Sequence, residues 1–181
     1  MEYYIGTKMI KAEPMNNHDF AKEKYGSEKL DNPLAEGYKV QYSDDYISWS
    51  PKDVFEKAYK KINGEFKIVE HDLITNDYTI IFKDENIFNA PRNYIIENAH
   101  NGNLLAGIHF QEGPLVENEL NGVFMEDLIA ICINRLDHFQ NSEYKCDENE
   151  EARNCLIDSL KALRKRTESR KERNVLGTRE V

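Results

Sequence analysis

Residues 139–149 hold the side chains whose chemistry best suits recognition of a nucleotide. Phe139 and Tyr144 supply two aromatic rings that can stack on a base, and Asn149 supplies an amide that can hydrogen-bond a base edge. A structural interpretation stays open, in which Phe139 seals a turn between two helices and Asp147 or Asn149 caps the second helix. The residue types alone do not decide between the two interpretations.

Arginines recur at a helical spacing near the end of the chain. Arg166, Arg170 and Arg173 occupy positions i, i+4 and i+7, so a helix would place them on one stripe. The forked guanidinium group suits bidentate contact with phosphate. Because the helix dipole also favours cations at a helix C-terminus, a solvated helix end is the alternative interpretation.

Little in the sequence points to catalysis. Five histidines are scattered along the chain: His18, His71, His100, His109 and His138. There is no nucleophile elbow, phosphate-binding glycine loop or HExxH pattern. The three cysteines lack CxxC spacing, and two of them, Cys132 and Cys155, are expected to be core thiols. We therefore expect a binding protein and not an enzyme, with no metal and no cofactor.

The charge of the chain is distributed unevenly. The 181 residues carry a net charge of −9, yet residues 161–181 hold eight Lys or Arg against three Glu. The acidic remainder disfavours nucleic-acid polymers, whereas the basic cluster can hold a small anion. No window approaches the run of about 18 apolar residues that a membrane helix needs, and the N-terminal residues show no export signal. We expect no membrane partner and a cytosolic location.

The predicted fold begins with a small N-terminal module, which we assign to residues 1–63. A strand is predicted over residues 2–12, and a short helix around Phe20. Residues 37–42 and 46–49 flank Ser43-Asp44-Asp45 as a β-hairpin. Ser50-Pro51 then provides an N-cap and a first-turn proline for a second short helix.

Residues 64–181 form the second predicted domain. Strands are expected at 66–70, 78–83, 94–97 and 104–111, with Asn101-Gly102 as a tight turn, so a small antiparallel sheet occupies about 64–112. Apolar residues at three-four spacing over 125–139, and again from Ala152 to Arg170, predict two helices that pack as an antiparallel hairpin over about 124–173. The predicted fold class is α+β.

The ordered motifs of this second domain resemble those of a known family over about residues 78–181. The set comprises Ile108-His109-Phe110-Gln111-Glu112-Gly113-Pro114, Asn121-Gly122, Glu126-Asp127-Leu128-Ile129-Ala130-Ile131, Asn134-Arg135-Leu136, Phe139-Gln140, Cys146, Glu148-Asn149, Leu160, Leu163, Arg166-Thr167, Arg170 and Arg173-Asn174-Val175-Leu176-Gly177-Thr178. It looks like the bacteriophage Thoeris anti-defence sponges, whose helical hairpin is shared with the anti-CBASS sponge.

The resemblance implies sequestration of an immune signal without cleavage. Such proteins bind glycocyclic ADP-ribose signals made by bacterial TIR-domain enzymes, and some also take cyclic oligonucleotides of CBASS immunity. They assemble as homo-oligomers, commonly hexamers, with pockets between subunits, and would act in the cytoplasm of the infected host.

Matched residue by residue, the resemblance assigns Phe139 and Asn149 to the ADP-ribose site and Arg166 to a cyclic trinucleotide pocket. By adjacency the ligand-binding set also takes in Gln140, Tyr144, Thr167 and Thr178. Arg170 is included because it shares the arginine stripe with Arg166. Leu115-Val116 depart from the family, which often has a basic residue after the Gly-Pro step.

Two alternatives to a sponge remain. One is an enzyme that degrades the signal, with Glu148 or His109 as acid or base. The other is an oligomeric structural or regulatory phage protein without a ligand.

Overall fold

A computed structural model describes residues 8–26, 32–42, 45–59, 61, 65–85, 90–178 and 180. The chain divides into two compact units: Met1–Glu85 with Ile95–Gly107, and Asn86–Tyr94 with Ile108–Val181. The elements, in chain order, are β1 Lys11–Pro14, α1 Asn17–Tyr25, β2 Gly37–Gln41, β3 Ile47–Pro51, α2 Lys52–Ala58, β4 Lys67–Ile68, β5 Thr79–Lys83, β6 Asn93–Asn98, β7 Leu104–His109, α3 Met125–Gln140 and α4 Asp147–Glu172. Among the described residues, no helix combines the length and apolar character needed to cross a membrane.

The first unit contains an antiparallel sheet of order β1-β2-β3. Val40 on β2 and Phe20 and Ala21 on α1 are buried. On the other helix, the ring of Phe55 stacks on that of Tyr38 at a centroid distance of 4.2 Å. The Tyr38 hydroxyl donates to Glu56, and this hydrogen bond raises the pKa of the phenol. Aromatic stacking thus fixes α2 on the sheet.

The second sheet has the strand order β4-β5-β6-β7. Gly102 adopts a φ of 70° in the turn between β6 and β7, and the Asn98 N–H donates to the Asn103 carbonyl. The predicted hairpin is therefore present, with five residues between its strands.

Helices α3 and α4 pack against each other as the predicted hairpin. Asp127 accepts a hydrogen bond from the Phe124 N–H at 2.8 Å, which satisfies one backbone donor before the first turn of α3. Three acidic residues in the first turn of α4 suit the positive end of its dipole. An ion pair between Asp137 and Arg153 joins the two helices.

No residue of α3 or α4, both described throughout, is buried in the single chain. The expectation that Cys132 and Cys155 are core thiols is wrong, because both are exposed. The three-four spacing correctly gave the helices. The spacing does not show how far the apolar side chains of the two helices are buried, and in a single chain they are only partly covered.

The α+β class is confirmed, with a β-rich N-terminal part, small antiparallel sheets and a C-terminal helical hairpin. Two local predictions need correction. Strand β1 begins at Lys11 and runs to Pro14, so residues 8–10 of the predicted strand are not in it and it does not end before Pro14. Residues 2–7 of that prediction lie outside the described residues. Pro51, and not Ser50, precedes α2, and no side chain caps that helix.

Candidate functional site

The end of the hairpin is shaped by local hydrogen bonds between side chains and backbone. The Asn141 side chain donates to the Asp137 carbonyl at 2.9 Å, and the Ser142 hydroxyl donates to the Phe139 carbonyl at 2.8 Å. The same hydroxyl oxygen accepts from the Tyr144 N–H at 3.2 Å. Asn and Ser favour such local bonds over continued helix, so they end α3 and turn the chain toward α4.

This turn brings two aromatic rings together. The centroids of Phe139 and Tyr144 lie 6.4 Å apart with an interplanar angle of 82°, an edge-to-face arrangement. The guanidinium of Arg135, one turn earlier on α3, lies 5.1 Å from the Phe139 centroid. Tyr144 is 66% exposed, whereas Phe139 is half-buried. An accessible ring and a cation therefore flank Phe139.

Two amide side chains brace the same turn. Asn149 donates from Nδ2 to the Tyr144 carbonyl at 3.3 Å, and Gln140 accepts the Cys146 N–H on Oε1 at 3.1 Å. The interpretation of Asp147 or Asn149 as the cap of the second helix is wrong, because Cys146 occupies that position without a side-chain cap. An amide carries two donor hydrogens and an acceptor oxygen, so Asn149 keeps hydrogen-bonding capacity beyond Tyr144. We call Phe139, Gln140, Tyr144 and Asn149 the tip cluster.

A separate cleft of about 780 Å³ lies in the second unit. Its lining includes two arginines and a set of apolar side chains, among them Arg92, Tyr94, Phe110, Phe124, Met125 and Arg166. The rings of Tyr94 and Phe110 meet edge to face, with centroids 5.6 Å apart. Arg166 is exposed and forms no hydrogen bond or ion pair with another described residue. The cleft thus combines aromatic surface with an available guanidinium.

The floor of this cleft depends on a close approach of two backbone segments. Phe110 and Val123 form a parallel bridge, with the Gln111 N–H donating to the Val123 carbonyl at 2.9 Å. A Cβ on Gly122 would lie 2.5 Å from the Phe110 carbonyl carbon, so only glycine fits there. Asn121 completes the join by accepting the Glu112 N–H at 2.8 Å. The Asn121-Gly122 pair therefore has a structural role in shaping the cleft.

Charge within the cleft is partly neutralised. The Arg92 guanidinium lies 2.5 Å from a carboxylate oxygen of Glu112. Next to this pair, His109 Nδ1 and Asn93 Oδ1 are 2.5 Å apart. An anionic ligand would have to compete with Glu112 for Arg92, whereas Arg166 meets no such competitor among the described residues.

The remaining predicted site residues lie elsewhere on the C-terminal part of α4 and beyond it. Thr167 donates to the Leu163 carbonyl within the helix and lines a smaller groove with Leu160 and Arg164. Arg170 donates to backbone carbonyls of the tail that follows α4, and the Thr178 hydroxyl donates to the Val175 carbonyl. Arg166 and Arg170 thus differ in surroundings although they share the predicted stripe.

The structure brings the four members of the tip cluster together, but not Arg166 with them. Asn149 and Arg166 are 17 residues apart on one helix, which corresponds to about 25 Å along its axis. A single small ligand cannot contact both within one chain.

Arg92, Tyr94 and Phe110 were not predicted as site residues, although all three line the cleft. They meet because β6 and β7 pair and the Phe110 N–H donates to the Arg92 carbonyl at 2.9 Å. One feature of the sequence could have indicated them. The three residues lie near the start and the end of the predicted hairpin of strands 94–97 and 104–111, close to Gly113-Pro114. Within the described residues, no group of His, Cys, Asp or Glu is arranged to hold a metal ion.

Comparisons with known proteins identify first the type of hairpin domain and then the family to which the chain belongs. The family model described as "Acb2/Tad1, hairpin domain" matches residues 106–168, which include both helices as far as Glu168. Residues 106–168 therefore match that hairpin domain. Thoeris anti-defense 1 of Bacillus phage SBSphiJ7 is 37% identical over 138 residues, covering 62% of this chain and 97% of that relative. The chain belongs to the Thoeris anti-defence 1 family, and the resemblance seen in the sequence is confirmed.

Proposed function

We propose that this phage anti-defence protein binds and sequesters a glycocyclic ADP-ribose immune signal without cleaving it. The observation that carries the proposal is the tip cluster, in which two aromatic rings and two amides meet at the end of an exposed hairpin. This combination suits a nucleotide, because the rings bind the face of a base and an amide binds its edge.

The chemistry of each member suggests its role. The exposed ring of Tyr144 and the ring of Phe139 offer stacking surface for adenine, and Asn149 can hydrogen-bond the base edge. Arg135, held over Phe139, supplies a positive charge for the pyrophosphate next to the base. Gln140 supports the turn through Cys146, so its contribution to binding is indirect.

The site is completed in a homo-oligomer, which we propose to be a hexamer. On helix α3, Ile131 is 63% exposed and none of the helix residues is buried in one chain. Apolar surface of this kind is typical of an interface with another subunit. Partner subunits packed on the hairpins would enclose a ligand that the shallow tip alone leaves open to water.

A second ligand class is suggested by the cleft. Its volume exceeds what one base requires, and Tyr94 and Phe110 provide aromatic surface close to the arginines. We propose that the cleft takes a cyclic oligonucleotide, with Arg166 contacting a phosphate. Leu115 supplies no positive charge after the Gly113-Pro114 step, so the described cations that line the cleft are Arg92 and Arg166.

Sequestration acts by mass action in the cytoplasm of the infected host. A protein present above the signal concentration, with a Kd below it, lowers the free signal beneath the level that the defence effector needs. This mechanism requires the protein to bind the signal and does not require any bond of the signal to be broken.

Calorimetric titration with a glycocyclic ADP-ribose, and separately with a cyclic trinucleotide, tests the proposal. We expect saturable binding of the ADP-ribose signal, and recovery of intact ligand when the complex is heat-denatured. Conversion of the signal by substoichiometric protein would replace the proposal with an enzyme. Absence of heat for both ligands, together with no thermal shift, would leave an oligomeric phage protein with a structural role.

A further inference from the structure

The side chain of Arg170 holds the tail that follows α4. Its Nη2 donates to the carbonyl oxygens of Val175 and Thr178, both at 3.0 Å, and Nη1 donates to that of Glu180 at 2.7 Å. Arg170 is half-buried, in contrast to the exposed Arg166 one turn earlier. Three backbone acceptors therefore use the fork that a phosphate would otherwise occupy.

The backbone at the end of α4 cooperates with this side chain. Asn174 has a φ of 58°, the left-handed conformation, and its N–H donates to the Lys171 carbonyl. The Val175 N–H donates to the Arg170 carbonyl at 3.0 Å. This is the double hydrogen-bond pattern of a Schellman motif, which reverses the chain and directs the tail back along the helix.

The tail in turn passes close to the turn formed by residues 113–118. Gly177 has a φ of 76°, and a Cβ built on it would lie 3.1 Å from Cγ2 of Val116. Val116 belongs to the turn in which the Pro114 carbonyl accepts the N–H groups of Glu117 and Asn118. Pro114 and Asn118 line the cleft. Hydrogen bonds and one close approach, of Gly177 to Val116, thus connect Arg170 through the tail to the turn that lines the cleft.

We infer that Arg170 is a positioning residue: it fixes residues 174–178 so that they support the 113–118 turn, and it affects ligand binding in the cleft through that turn without touching the ligand. The inference rests on the proposed function of the cleft. It differs from the role given to Arg170 by the sequence, where the arginine itself was expected to bind the ligand.

A double-mutant cycle separates these roles. The variants are Arg170→Met, a chain ending at Asn174, and both changes together, with Arg170→Lys as a milder change and Arg164→Met as a control for the loss of one α4 guanidinium. Arg164 is exposed and pairs with Glu168 on the same helix. Each variant is titrated with a cyclic trinucleotide, and amide hydrogen exchange is followed without ligand.

We expect Arg170→Met to speed exchange at Val175, Thr178 and Asn118 by about tenfold or more. Binding of the trinucleotide should weaken about tenfold in Arg170→Met and to the same extent in the shortened chain. The combined variant should be no weaker than the shortened chain alone, and Arg170→Lys should fall between wild type and Arg170→Met.

Further loss of affinity when Arg170→Met is added to the shortened chain would show direct ligand contact and overturn the inference. Unchanged exchange at Asn118 in Arg170→Met would also overturn it. If wild-type protein binds no trinucleotide, the proposed ligand of the cleft is wrong. The exchange data then still decide whether Arg170 supports the 113–118 turn.

Discussion

The Asn149 side chain donates to the backbone carbonyl of Tyr144 over 3.3 Å, and this bond ties the first turn of α4 to the aromatic residue of the link. We expect Phe139→Ala combined with Asn149→Ala to weaken binding of glycocyclic ADP-ribose by about a hundredfold, because one stacking contact and one or two hydrogen bonds are lost. Calorimetry measures the change, and light scattering should report an unchanged oligomer.

The matched control for that pair is Tyr25→Ala combined with Asn154→Ala. Tyr25 is an exposed aromatic residue of the first unit, and Asn154 is an exposed amide further along α4. This variant should bind like wild type. Normal binding by the Phe139 and Asn149 variant would exclude the tip cluster as the site.

Arg166 should control binding of the cyclic trinucleotide and not of the ADP-ribose signal. We expect Arg166→Ala to weaken the trinucleotide complex about ten- to a hundredfold, as a hydrogen-bonded contact to phosphate is removed. Arg164→Ala serves as the control, since it removes the same charge from the same helix. Equal losses in both variants would indicate a nonspecific charge effect.

Gly122 should tolerate no side chain. We expect Gly122→Ala to lower the free energy of unfolding by about 1–3 kcal/mol, because its Cβ would collide with the backbone of Phe110 and Gln111. Gly107→Ala is the control, as a Cβ there meets no atom within 4 Å. Urea denaturation compares the two variants, and equal stability would contradict the close approach described at the floor of the cleft.

Ile131 should lie in the contact between subunits. We expect Ile131→Asp to dissociate the oligomer, because burying an unpaired carboxylate in an apolar interface costs free energy. Each chain should stay folded, since the Ile131 side chain is exposed in a single chain. Val54→Asp, at an exposed valine of α2, should leave the assembly intact. Size-exclusion chromatography with light scattering distinguishes the outcomes; an intact Ile131→Asp oligomer places the contact elsewhere.

The elements that could be predicted from the sequence are those determined by residues close together in the chain. Three-four spacing gave α3 and α4, and turn residues gave the β2–β3 and β6–β7 hairpins. Strand β4 has only two residues, and its boundaries depend on pairing with β5, which no local pattern encodes. The exposure of Cys132 depends on what covers the helix, and a three-four pattern cannot report that.

The same distinction applies to the candidate site. The tip cluster comes from eleven consecutive residues, so their types alone suggested it. The cleft joins Arg92, Phe110 and Arg166, which are far apart in the chain and meet only through strand pairing and helix packing. The hydrogen-bond partners of Arg170 are backbone carbonyls. Because every residue has a backbone carbonyl, the residue types of the tail could not predict these bonds.

The path of the chain through its two units limits how the protein can be divided or recombined. Residues 95–107 belong to the first unit, yet they interrupt the second, which consists of Asn86–Tyr94 and Ile108–Val181. A gene fragment beginning at Ile108 would encode both helices but lose Arg92 and Tyr94 from the cleft. Any recombination event that transfers a whole cleft must therefore carry this inserted segment as well, so the second unit is inherited together with part of the first.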